Sequence, residues 1–185
     1  EYIELDNATE YIFDGETLEL SFTTEVLDDA SSKNIVGVEV SMSYDEDESN
    51  SGGIACIGPN GGQNAADTIS ATATHDSYNG SGDGQNSGGS GAHSVEVIWQ
   101  NVSLLGTTVS GLSKGEIIDQ LDSEGAGLGE YFVEISVSAD SGNAGPGCQR
   151  SDDGEEVTYS VKLIVLDLDN VTISTELETE TGEEA

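Results

Sequence analysis

Positive charge is what this sequence has least of. Lys and Arg number 4 in 185 residues, against 37 Asp and Glu, for a formal net charge of −33. The fixed cations are Lys33, Lys114, Arg150 and Lys162. Four such charges cannot neutralise a run of phosphates, so nucleic acid and anionic membrane surfaces are poor candidates as partners, and cations are good ones. Long apolar runs are missing too: no segment has the ~20 consecutive apolar residues of a membrane helix. Cysteine is scarce, and Cys56 and Cys148 match no metal-binding spacing. Aromatic residues make up 5%, with a single Trp, which is thin provision for a stacking platform. No G-x-x-x-x-G-K-[ST] phosphate loop occurs. The chain opens at Glu1 in "EYIELD" as a processed or truncated protein would, so a leader or membrane anchor is expected outside it.

The excess of acid has a physical consequence. A folded chain of this mass exposes about 8,400 Å², which gives one net charge per roughly 250 Å², about 16 Å apart. The Debye length is about 10 Å at 0.1 M salt and about 3 Å at 1 M. Self-repulsion therefore opposes compaction in fresh water and keeps the chain soluble in brine. High charge with low hydrophobicity also marks disordered chains, but several segments here alternate apolar and polar residues, which a disordered chain has no reason to do. The acidic, Lys-poor balance resembles that of exported proteins of halophilic or marine archaea. That likeness of composition implies an extracellular or cell-surface location.

The cysteines agree with export. Each sits in a Gly/Pro-rich setting, "ACIGPNGG" and "NAGPGCQR". A bridge between Cys56 and Cys148 would close a loop of about 92 residues and contribute roughly 4–5 kcal/mol, and it implies an oxidising compartment. N-glycosylation sequons stand at Asn7, Asn79, Asn101 and Asn170.

Period-two patterning marks the strands. Leu18, Leu20, Phe22, Thr24 and Val26 share one face, as do Val36, Val38, Val40, Met42 and Tyr44. The same holds for Val95, Val97 and Trp99, for Tyr131, Val133, Ile135 and Val137, and for Val157, Tyr159, Val161, Leu163 and Val165. Residues 67–75 are a weaker strand. "EYIELD", "EYIFD" and "NVTISTELE" are short candidates. Ser113 followed by Glu116 has capping-box spacing and predicts a short helix over 114–122, stopped by Gly125. About eight strands and one short helix indicate an all-β sandwich, immunoglobulin-like or jelly-roll. The expected divisions are a strand-like extension over 1–13, the sandwich over 14–169 and an acidic tail over 170–185.

The stretch "DSYNGSGDGQNSGGSGA", residues 76–92, reads as a solvated loop. Its better chemical suggestion is a cation site at Asp76, Asn79, Ser81 and Asp83, which resembles the first half of an EF-hand loop but lacks the bidentate Glu and the flanking helices. "GGSGA" around Ser90 comes near a nucleophile elbow, without the strand that must enter it. The acidic clusters at 45–48, 152–156 and 167–170 are further places where Ca²⁺ would collect at a sandwich end. Paired carboxylates of the glycosidase kind cannot be picked out among so many acids. His75 and His93 make no zinc site without a third ligand. No organic cofactor and no enzymatic activity are expected; Ca²⁺ is the ion this composition invites.

Two functions follow. The first is an extracellular structural subunit, a filament, pilus-like fibre or surface layer, assembling as a homo-oligomer by donation of the N-terminal strand to a neighbour's sheet edge. The second is a cell-surface module that binds a glycan or a partner, with Ca²⁺ as an aid.

Overall fold

β-branched and aromatic residues at alternate positions need a surface on each side of the chain: one apolar, one wet. In a computed structural model, which describes residues 1–45, 49–56, 65–87 and 91–169, that need is met by two antiparallel sheets packed face to face. The strands are β1 (Tyr2–Phe13), β2 (Thr17–Thr23), β3 (Ile35–Tyr44), β4 (Ser49–Ser51), β5 (Ala66–His75), β6 (Tyr78–Ser87), β7 (Gly91–Ile98), β8 (Glu130–Ser138), β9 (Gln149–Ser151) and β10 (Gly154–Val165). One sheet has the order β1-β10-β3-β7, the other β2-β8-β5-β6, and β4 pairs with β9 outside both.

That order settles the topology. Leaving out β4 and β9, the first strand of the sandwich lies beside the last, the second beside the seventh, the third beside the sixth and the fourth beside the fifth. A long hairpin wrapped in this way is a jelly roll, with its two Greek keys. Of the two sandwich types the periodicity allows, the immunoglobulin-like one is therefore set aside.

The inward residues form one core. Val38, Val40, Val157, Val161, Leu163, Ala73 and Ile135 are wholly buried, with Tyr131, Val133, Ile69 and Tyr159 around them. Each large aliphatic side chain so buried contributes about 1.5–3 kcal/mol. The capped helix forms as its sequence predicts, as α1 (Lys114–Leu121): Ser113 Oγ accepts from the Glu116 N–H, and Glu116 Oε2 accepts from the Ser113 N–H at 2.8 Å. At its far end the Asn34 amide donates to the Leu121 carbonyl, and its oxygen accepts from the Ser123 N–H. Buried Leu121 seats the helix against the end of the sandwich where β3 begins.

Three expectations change. Residues 1–13 are not an extension: they are β1, paired with β10 along nearly its whole length, with Ile12 in the core and Ile3, Leu5 and Ala8 packed against it. The two short N-terminal candidates are one strand, carried through a bulge between Glu4 and Asp6. Val26 leaves the face of Leu18, Leu20 and Phe22, because Thr24–Val26 coil into a 3₁₀ turn that turns it out to solvent.

The third change concerns the Gly-rich stretch. Most of it is strand β6, joined to β5 by a two-residue hairpin turn with Asp76 in the left-handed conformation at φ 50°. Its pattern is period two with glycine as the inward residue. Gly80, Gly82 and Gly84 face β7 so closely that added methyl groups would meet Val97 Cγ2 at 2.8 Å, meet Val95 Cγ2 at 3.1 Å and overlap the His93 ring. Side chains from β7 fill the space that β6 leaves. The tail over 170–185, with "NVTISTELE", lies outside the described residues.

Candidate functional site

The residues first suggested for a cation do not converge. Asn79, Ser81 and Asp83 are exposed at alternate positions of β6, so Asn79 and Asp83 stand about 13–14 Å apart along the strand. Ligand oxygens on opposite sides of one Ca²⁺ are only about 5 Å apart. Asp76 lies in the hairpin turn before them. The EF-hand likeness fails because the stretch is extended rather than coiled around a centre. His75 and His93 are also kept apart, by about six residues of strand: His75 ends β5 against Tyr78, while His93 covers Gly84, which pairs with Ile69. Both His75 nitrogens face carbonyl oxygens, of Glu130 at 2.8 Å and Ala126 at 2.7 Å, and its ring stacks on Tyr131. Burial raises the Tyr131 hydroxyl well above the ordinary phenol range. This aromatic cluster is packing at the α1 end.

Of the sequons, Asn7, Asn79 and Asn101 are exposed; Asn170 lies outside the described residues, as do Ser90 and most of the cluster at 45–48. Cys56 and Cys148 are joined in a disulfide. It fastens the turn Gly53–Cys56 to the segment before β9, beside the β4–β9 pair. The two ends of the sandwich thus differ: α1 and the aromatic cluster close one, the disulfide and the small sheet close the other.

At the disulfide end three carboxylates meet. Asp67, Asp152 and Glu155 each offer an oxygen within 4.8 Å of the other two. Asp67 is the second residue of β5, Glu155 the second of β10, and Asp152 precedes β10 in the turn from β9. Asp67 and Glu155 are each 1% exposed, which is uncommon for acids. The surroundings are held by backbone. Asp67 Oδ1 accepts from the Asp140 N–H at 2.7 Å, and the Tyr44 hydroxyl donates to the Asp67 carbonyl. Asp152 Oδ1 accepts from the Gly154 N–H, and the Asp14 N–H donates to the Asp153 carbonyl. Gly154 sits at φ 137°, with the Ile12 carbonyl where a side chain would begin, so the turn between the two acids admits glycine alone. The cluster at 152–156 was visible as a run of acids; Asp67, in "ADTIS", carries no local signal.

A second feature lies on the outer face of the β1-β10-β3-β7 sheet. Register places Thr9, Thr158, Ser43 and Ala92 in one cross-strand row and Asn7, Ser160, Ser41 and Ser94 in the next. All are short. The following row is Glu4, Lys162, Glu39 and Glu96, all long. Short rows beside long ones leave a shallow trough of about 450 Å³. Its floor includes Ser160 Oγ, which is buried and has no hydrogen-bond partner. Thr9 and Thr158 share a hydroxyl–hydroxyl bond of 2.8 Å. Beyond Thr9 on β1 stand exposed Tyr11 and Phe13, rings edge to face at 5.1 Å. Beneath the sheet Tyr159 donates to Asp6 Oδ2 at 3.1 Å, and its hydroxyl is pushed up to about 12 by burial first, then by that bond and by the negative charges of Asp6 and Glu10.

No protein-family model matches the sequence, and no curated protein matches it either.

Proposed function

We propose that the protein is an exported jelly-roll binding module of the cell surface, and that it takes a neutral glycan in the hydroxyl-lined trough of the β1-β10-β3-β7 sheet. The observation that carries this reading is the pair of short polar rows with an unpartnered Ser160 hydroxyl at their floor. A buried hydroxyl without a partner is costly, and a polyol supplies both donors and acceptors to it. Asn7 at the rim adds an amide with two donors and one acceptor. Tyr11 and Phe13 offer an apolar surface to a sugar ring. Glu4, Glu39, Glu96 and the net charge of −33 repel anionic polymers, so the ligand class is neutral. Jelly rolls include lectin domains, a likeness of fold that carries no weight by itself. The disulfide supports a non-reducing exterior.

The test is calorimetric titration in molar NaCl with neutral hexasaccharides: cello-, laminari-, manno- and chitohexaose. At least one should bind, and Ser41→Leu or Ser94→Leu, which fill the trough, should weaken it tenfold or more without changing the circular dichroism. If none binds, or if the filled variants bind equally well, the reading fails.

A second reading rests on a different observation. Among the described residues β1 has one neighbour, β10; its bulge between Glu4 and Asp6 guards only its first half, and the remainder carries no Lys, no Pro and a single acid, Glu10, as protection of an open edge. Copies of the chain would then pair through β1 in salt strong enough to screen their charge. Since β1 is an integral strand, removing residues 1–13 would unfold the sandwich, not release a monomer. Sedimentation equilibrium in molar NaCl decides it: a monomer at every concentration rejects assembly, and association lost in Phe13→Glu supports it.

A further inference from the structure

We propose that Asp67, Asp152 and Glu155 bind one Ca²⁺ that ties the two sheets together at the disulfide end. The reading stands independently of the glycan trough. Three oxygens within 4.8 Å of one another fit the coordination sphere of a single hard cation with oxygens at about 2.3–2.6 Å. Mg²⁺, at about 2.0–2.1 Å, spans less and gives up its waters reluctantly.

Clustered acids are common on this surface, so the cluster alone proves nothing. What separates this one is Asp67. Its side chain is 99% out of solvent by exposure of 1%, one oxygen is fixed by the Asp140 N–H, and the other, Oδ2, is buried with no hydrogen-bond donor. It belongs to the carboxylate that meets Asp152 and Glu155. A carboxylate oxygen removed from water needs a proton, a donor or a cation. Hydrogen bonds do not supply one here.

The backbone around the acids is built in advance, as a cation site requires. The Gly154 N–H holds Asp152, the crowded Gly154 fixes the step from Asp152 to Glu155, and Tyr44 holds the Asp67 backbone. The ligands also come from both layers: Asp67 from the β5 sheet, Glu155 from the β10 sheet. An ion there joins two sheets that share no hydrogen-bond ladder among the described residues. The same corner carries the β1–β2 turn, where the Gly15 N–H donates to the Val137 carbonyl and Asp14 accepts from the Ala139 N–H. Binding would therefore stiffen the β1–β2 corner as well.

The experiment uses the full chain, freed of metal by chelator and titrated with CaCl₂ by calorimetry in 1 M NaCl, where diffuse ion attraction is screened. One saturable site per chain is expected. Asp67→Asn should weaken it tenfold or more. Asp152→Asn does the same at a half-buried position, and so serves if Asp67→Asn does not fold. The melting temperature should rise with CaCl₂ beyond the rise given by NaCl of equal ionic strength, and both variants should lose that excess. Non-saturating uptake overturns the proposal, and so does a saturable site that survives in both variants. An unchanged melting curve with no heat of binding means that the acids are neutralised without a metal, and overturns it equally.

Discussion

Alanine at Gly80, Gly82 and Gly84 sets two effects of opposite sign against each other. In an open strand, replacing glycine by alanine stabilises by about 0.5–1 kcal/mol, because glycine loses more backbone freedom on folding. In a filled space, an added methyl group costs about 1–3 kcal/mol. The clearances decide which prevails. At Gly84 the new Cβ overlaps the His93 ring, which must leave its place; the net loss should be about 1–2 kcal/mol. At Gly80 the methyl meets Val97 Cγ2 at 2.8 Å and the Glu96 carbonyl at 3.3 Å, and a smaller loss is expected. At Gly82 the only close atom is Val95 Cγ2 at 3.1 Å, and the two effects should nearly cancel. Ser81→Ala, on the exposed face, should change stability by less than about 0.5 kcal/mol. Urea unfolding in molar NaCl measures all four, and for a chain of this size each kcal/mol moves the melting temperature by about 2–4 °C. His93→Ala should recover much of the Gly84→Ala loss, since the two then no longer compete for one volume. Equal stabilisation at all three glycines, with no coupling between 84 and 93, would refute the packing of β6 on β7.

Replacing Cys56 and Cys148 by Ser opens a loop with a sequence separation of 92; the expected loss is about 4–5 kcal/mol, or a fall in melting temperature of about 10 °C or more in a non-reducing scan. A change below about 1 kcal/mol would mean that the β4–β9 arm unfolds separately from the sandwich. The Tyr159 hydroxyl is raised to about 12 by burial and then by Asp6 and Glu10, so the fold favours its neutral form. Its contribution is complete below pH 10, the ordinary phenol value, and is lost as pH climbs through about 12. The difference in phenolate absorbance between the native protein and Tyr159→Phe reads this titration: a midpoint at 10 contradicts it, and Asp6→Asn should lower the midpoint.

What the sequence made legible depended on which residues carry pattern. The run from Ile35 to Tyr44 and that from Gly154 to Val165 show their strands because Val, Ile and Leu alternate with polar residues. Ser113 and Glu116 mark the start of α1 because a capping box is a local bond between neighbours. Tyr78 to Ser87 stayed hidden, since glycine at the inward positions leaves period two with nothing to display it. β1 reads as two pieces because Asn7, Ala8 and Thr9 carry little apolar signal, and because the bulge between Glu4 and Asp6 shifts the inward positions from Ile3 and Leu5 to Ala8 and Ile12. The choice of jelly roll over immunoglobulin-like sandwich is a matter of pairing, and both give the same periodicity along the chain. The acidic site was half legible for the same reason: Asp152 and Glu155 are neighbours in sequence, while Asp67 joins them through the pairing of β5 within the other sheet.

The acids of this protein therefore answer to two kinds of physics. Most face solvent, where each is hydrated and salt limits the repulsion among them to a few ångströms at molar ionic strength. Those surface charges keep the chain soluble, and any one of them is replaceable. Asp67 and Glu155 serve no such purpose, because a charge with 1% exposure adds little to hydration. Burial in a medium of lower dielectric strengthens their mutual repulsion, and bulk salt does not screen it as it does at the surface. Hydration and mutual repulsion account for acids that face solvent; they do not account for two acids that are buried and set beside a third. A proton, a hydrogen-bond donor or a local positive charge offsets such burial, and Asp67 Oδ2 has no donor among the described residues. The position of the group, spanning two sheets at the end closed by the disulfide, is where a single ion would have the greatest mechanical effect on the sandwich.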